Sequence, residues 1–137
     1  MALLSKEFLD QYSDRPAHMT PRGLFTFYRT YARFLPEEGR RESWKETVAR
    51  AVEYNIGLDI KHREKAGLPL PLMWLQQEAR DLFDNIFNLR QFPSGRTLWV
   101  GGTAVSENYP RSNFNCSFTN IESWEDLSEL FYLLMLG

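Results

Sequence analysis

Cys116 is the one thiol of the chain, and it lies in NFNCSF (residues 113–118), where Phe114, Cys116 and Phe118 alternate at the period of a strand. A thiol can attack, ligate a metal, donate hydrogen or form half of a redox disulfide, and a redox disulfide needs a second thiol. A single Cys provides no internal disulfide and no cysteine-built zinc cage within this sequence. From pattern alone, a lone Cys on a strand is most often a small buried apolar residue. His18 and His62 stand in polar turns without spaced ligands and read as surface residues. SGRTLWVGGT (residues 94–103) has glycines but not the spacing of a dinucleotide or Walker loop, and EEGRRE (residues 37–42) reads as a solvated turn.

The elements that would position these residues are mostly helical. A short helix is expected around Leu4–Tyr12, closed by SDRP, and a second opens at Thr20-Pro21, a hydroxyl cap followed by proline at the first helical position. Its apolar repeat of Leu24, Tyr28, Tyr31 and Leu35 ends at Pro36, although LFTFY also suits a strand. A third helix is expected over residues 41–55 with Trp44, Val48, Ala51 and Val52 on one face, then a loop through IGLDIKHREKAGLPLP. A fourth, over residues 72–90, aligns Leu75, Ala79, Leu82, Phe83 and Ile86. After a Pro-Ser-Gly turn and the apolar run Leu98–Val100 comes the NFNCSF strand. Ser123, with Asp126 three residues on, then caps a last helix that is apolar nearly all round and therefore expected to be buried.

Composition bounds the function class. The length of 137 residues suits one small domain, and 43% hydrophobic residues with 15% aromatics can fill a core. A net charge of −2, with arginines dispersed among acids, argues against nucleic acid as the main partner. No apolar run approaches the roughly 20 residues that span a bilayer, and acidic residues come too early for a signal peptide. A cytoplasmic setting without membrane association is the expectation. The fold class is a mainly α N-terminal domain (residues 1–91) followed by the opening strand and helix of an α/β unit (residues 92–137). An isolated strand and an all-apolar helix leave backbone and surface unmatched, so completion by further polypeptide is expected.

TFYRTYARFLPEEGRRESWKETVARAVEYNIGLD (residues 26–59) resembles the N-terminal helical segment of adenosylcobalamin-dependent (class II) ribonucleoside-triphosphate reductases. FPSGRTLWVGGT is similar to the segment leading into that family's catalytic barrel, NFNCSF to its first barrel strand, and ELFYLLMLG to the helix that follows. The resemblance implies a ten-stranded α/β barrel completed by sequence beyond this chain. It also implies reduction of ribonucleoside triphosphates to 2′-deoxyribonucleoside triphosphates by thiyl-radical chemistry, as deoxyribonucleotide biosynthesis for DNA replication requires. Cys116 aligns with one member of the family's redox pair, whose partner cysteine is absent here. Ser94 and Arg96, with Gly95 between them, align with a loop near substrate, and Asn115 and Ser117 flank the thiol as candidate substrate contacts. Phe92 stands where many relatives carry Thr.

The same resemblance puts the thiyl cysteine, the second redox cysteine and the adenosylcobalamin site outside this chain, so no cofactor-binding or metal-binding residue is expected in it. The expected partners are the remaining C-terminal part of the reductase, supplied in trans or by splicing, the nucleoside triphosphate and a thioredoxin-type reductant. The chain alone is expected to be inactive. A non-catalytic helical interaction module or a gene remnant is the alternative. An iron-dependent or glycyl-radical reductase fits TYARFLPEEGRRESW less well, because that block resembles the cobalamin-dependent group.

Overall fold

The computed structural model describes residues 3–114, 116 and 118–135. Its centre is an antiparallel pair of long helices, α3 (Trp44–Ala66) and α4 (Leu72–Phe87), joined by a short proline-containing turn. Val48, Ala51, Val52 and Ile56 of α3 meet Leu75, Ala79, Phe83 and Ile86 of α4 in one buried cluster. The spacing of three and four places each set on a single helical face. Trp44 closes one end, its indole N–H donating to Phe87 O at 3.0 Å.

Short elements wrap this pair. Ser5 caps α1 (Lys6–Leu9), and the segment beyond it lays Tyr12 edge-on against Phe83 and Phe87, with ring centroids 4.9 Å apart in both cases. The Tyr12 hydroxyl donates to Asp84 Oδ1 at 2.9 Å, and burial together with that carboxylate pushes it up to about 12. Thr20 caps α2 (Pro21–Thr26) by accepting from Gly23 N–H, as its hydroxyl-proline start predicts. The helix does not run on to Leu35. It widens into a π-helical turn, Phe27–Tyr31, and gives way to a hairpin of β1 (Phe34–Leu35) and β2 (Arg40–Arg41).

Two expectations need correction, and two segments lack the partners that further polypeptide is expected to supply. IGLDIKHREKAGLPLP is not a loop from its start: α3 continues to Ala66 and stops where Gly67 adopts φ 66, a conformation glycine takes without Cβ strain. Asp59 and Arg63, one turn apart at 2.8 Å, support the added length. EEGRRE is a hairpin turn only in part, because Glu42 at its end is buried, 5% exposed. Phe114, Cys116 and Phe118 pair with no strand among the described residues, where the one sheet is the β1–β2 hairpin, since a strand exists only against a partner backbone. The last helix, α7 (Trp124–Met135), forms with the expected Ser123–Asp126 cap yet buries none of its described residues; Trp124 is 79% and Met135 86% exposed. Among the described residues the Asn108–Arg111 segment lines a concavity with α7, beside Tyr132.

The run after Arg90 is helical. Ser94 caps α5 (Gly95–Val100), which is followed by α6 (Ala104–Asn108) and a 3₁₀ turn, Pro110–Asn113. The body is therefore mainly helical through Asn113, with α5 packed on α3.

Candidate functional site

Cys116 leaves the 3₁₀ turn on a segment whose root is held from two directions. Arg96 Nη1 donates to Ser112 O at 3.2 Å, and Asn113 Nδ2 donates to Tyr54 Oη on α3 at 2.9 Å. The turn is thus tied to both α5 and α3, and the thiol follows three residues later. It is a free, exposed thiol. The reading of Cys116 as a small buried residue does not hold in this structure. Asn115 and Ser117 lie outside the described residues.

Ser94 and Arg96 have clear work in the fold. Ser94 Oγ accepts from Thr97 N–H at 3.2 Å and lies 2.9 Å from Thr97 Oγ1, so it starts α5. Its neighbours Phe92, Pro93 and Gly95 form one wall of a half-open cleft of about 660 Å³, facing α2, Tyr31 and Trp44. Leu89, in the wall at the end of α4, holds φ 60, which is uncommon for a residue with a Cβ. The structure therefore ties the root of the Cys116 segment, through Arg96, to the start of α5 beside the Phe92–Gly95 loop.

What holds that unit to the helical pair was not legible in the sequence. Glu42 Oε1 accepts from Arg50 Nε, and its Oε2 from Arg50 Nη2 and Thr47 Oγ1, all at 2.8 Å. Arg33 N–H donates to the same Oε2 at 3.2 Å. Arg50 also donates to Leu98 O at 3.0 Å and to Gly101 O, so one partly buried guanidinium joins the hairpin, α3 and α5. Burial alone would raise the Glu42 carboxyl, but the Arg50 guanidinium, the Thr47 hydroxyl and the Arg33 N–H together hold it below its usual range. The eight-residue separation of Glu42 and Arg50 was the available signal, and it is no helical spacing that a sequence reading would favour.

The glycine pair after α5 answers to the same joint. A Cβ on Gly101 would stand 2.5 Å from Thr97 O and 3.0 Å from the Tyr54 ring, and Gly102 has φ 71 against Arg50. Gly101→Ala is expected to cost about 1–3 kcal/mol, because the nearest obstacle is backbone and cannot swing aside. Chemical denaturation of the variant checks this, with an unchanged midpoint contradicting the packing.

His18 and His62 are exposed, as expected; His18 Nε2 lies 3.0 Å from Asn88 O. Among the described residues no group of three or more His, Cys, Asp or Glu gathers as a metal site, and no helix is long and apolar enough to cross a membrane.

Comparison with known proteins places this arrangement. A family model described as ribonucleotide reductase alpha domain matches residues 4–103. The adenosylcobalamin-dependent ribonucleoside-triphosphate reductase of Lactobacillus leichmannii is 44% identical over 120 residues, covering 86% of this chain and 16% of the relative. The protein of the same name from Lacticaseibacillus paracasei is 43% identical over 104 residues, 76% of this chain and 14% of the relative. A crystal structure of a B-12 dependent (class II) ribonucleotide reductase superposes with a TM-score of 0.73 at 43% identity, covering 82% of this chain and 16% of that one. The chain thus matches 14–16% of the length of these relatives.

Proposed function

Because the chain belongs to the ribonucleotide reductase alpha domain family, we propose that it forms the N-terminal part of an adenosylcobalamin-dependent reductase that converts ribonucleoside triphosphates to 2′-deoxyribonucleoside triphosphates. The observation that carries this reading is the match of fold and sequence together, a TM-score of 0.73 at 43% identity to a class II enzyme. The division into helical residues 1–91 and barrel-opening residues 92–137 belongs to the proposal, with residues 92–113 as the joint that Arg50 and Arg96 secure.

In this reading Cys116 is one of two reducing thiols. The C2′–OH bond of the ribose breaks and a C2′–H bond forms. The oxygen leaves as water, and Cys116 and a second cysteine from outside this chain lose two hydrogens and join as a disulfide. A thioredoxin-type dithiol then restores both. Ser94 and Arg96 place the loop that meets the nucleotide, while Asn115 and Ser117 flank the thiol as substrate contacts. Radical initiation is the contribution of adenosylcobalamin. In this reading the adenosylcobalamin site belongs to the part of the reductase outside this chain.

The test is a chimera in which this chain replaces the matching segment of the Lactobacillus leichmannii reductase. Adenosylcobalamin-dependent formation of deoxyribonucleoside triphosphate at a rate comparable with the parent is expected. A folded chimera without turnover would overturn the proposal. A second reading, an interaction module without catalytic duty, is favoured by the exposed apolar surface of α7 alone; it predicts that the chimera keeps its activity when Cys116 is replaced.

A further inference from the structure

The arginines that look dispersed along the sequence converge in space. Arg29 on the π-helical turn, Arg33 just beyond it and Arg41 on β2 line one concavity of about 530 Å³ with Thr30, Phe34 and Trp99. Among the described residues no carboxylate lines it. Three acids of the hairpin and the start of α3 are engaged by other arginines: Glu38 and Glu46 by Arg40, and Glu42 by Arg50. Two of the three guanidiniums are held in place without losing their charge. Arg41 Nη1 donates to Ala32 O at 2.7 Å, and Arg29 lies over the Phe25 ring at 5.9 Å. The Arg33 guanidinium has no hydrogen-bond or ion-pair partner among the described residues; only its backbone is bonded, its N–H donating to Glu42 Oε2 and its carbonyl accepting from Glu42 N–H.

Two further features favour a ligand over a merely solvated face. Trp99 and Phe34 present their rings to solvent, 45% and 57% exposed, beside the cations. The wall carrying Arg29 and Thr30 is a π-helical turn closed by Ala32 N–H to Phe27 O, a less favourable form of helix that recurs at functional sites. The volume falls within the roughly 300–1,000 Å³ of small-molecule sites.

We propose that this concavity binds a nucleotide, with Arg29, Arg33 and Arg41 on its phosphate chain and its base stacked on Trp99. Guanidinium forks match phosphate oxygens, and convergent uncompensated cations select a polyanion over a singly charged ligand. An exposed indole next to them offers a stacking platform for a flat ring. The proposal does not rest on the reductase reading, because none of these residues belongs to the Phe92–Gly95 loop or the Cys116 segment.

Isothermal titration of the 137-residue chain with ATP and, separately, with inorganic triphosphate tests it. Saturable binding of both is expected, weakening as ionic strength rises. Arg33→Gln is expected to weaken both ligands about tenfold or more, and Arg29→Gln likewise. Trp99→Ala is expected to weaken ATP and leave inorganic triphosphate unchanged, with thermal melts establishing that each variant is folded. Absence of saturable binding, or binding indifferent to both arginine variants, overturns the site. Equal affinity for the two ligands with a silent Trp99→Ala overturns the nucleotide assignment. Neither failure touches the chimera experiment, and loss of activity in the chimera leaves these titrations intact.

Discussion

Cys116→Ser in the active chimera is expected to lower turnover by at least the roughly 10²–10⁴-fold that a positioned proton donor contributes. A serine hydroxyl can still hydrogen-bond to a departing oxygen, but it cannot share two electrons with a partner thiol. The informative readout is therefore stoichiometry as well as rate. Without external reductant, the parent chimera should lose two thiols for each deoxyribonucleotide formed, and the variant should form no such disulfide. The thiol is exposed in this chain and packs into no core, so the substitution should leave the thermal midpoint of the chain alone unchanged. Turnover equal to the parent's would remove Cys116 from the chemistry and favour the interaction-module reading.

The second large effect concerns the joint rather than the chemistry. Arg50→Ala, or Glu42→Ala, is expected to destabilise the fold by about 3–5 kcal/mol, because each leaves the other charge buried without its partner. The side chains are 14% and 7% exposed, so solvent does little to replace what is lost. Arg50→Ala also strands the carbonyls of Leu98 and Gly101, and should loosen α5 from α3 before the α3–α4 pair opens. Hydrogen exchange resolved by peptide would show faster exchange in residues 95–103 first. Uniform acceleration across the chain would contradict a local joint.

The same joint sets a pH dependence. In the folded chain the Glu42 carboxyl lies below its usual 4.5, and Glu46, gripped by Arg40 through two bonds at 2.8 and 2.7 Å, is lowered to about 2. Carboxylates with depressed folded values contribute stability that is fully present above their unfolded value. The contribution is lost as pH falls, because the unfolded chain takes up protons first. Stability should therefore hold down to about pH 4.5 and decline from there toward pH 2. Glu42→Gln should narrow its deficit against the parent across that decline; a deficit constant with pH would mean that Glu42 acts through shape alone. The exposed Arg40–Glu46 pair contributes little of this, since water and salt screen it.

What sequence alone determined is what residues a few positions apart decide between themselves. Thr20-Pro21 started a helix, Ser123 and Asp126 started another, and the three-and-four spacing of Leu75, Ala79, Phe83 and Ile86 gave α4 its buried face. Each depends on bonds or periodicity within about one turn. The family resemblance was legible for a related reason: long blocks such as residues 26–59 carry many such local choices at once. Tertiary structure decided the rest. Glu42 looked like a turn carboxylate until Arg50, eight residues away, and α5, some fifty residues away, enclosed it. Arg29, Arg33 and Arg41 became one charged concavity only when the hairpin folded back and Trp99 arrived beside it. α7 kept its helical pattern without the burial that pattern implies, because periodicity marks which face is apolar and only another surface can cover it. Cys116 followed the same rule: its type and place were readable, but its exposure depended on neighbours that no local pattern names.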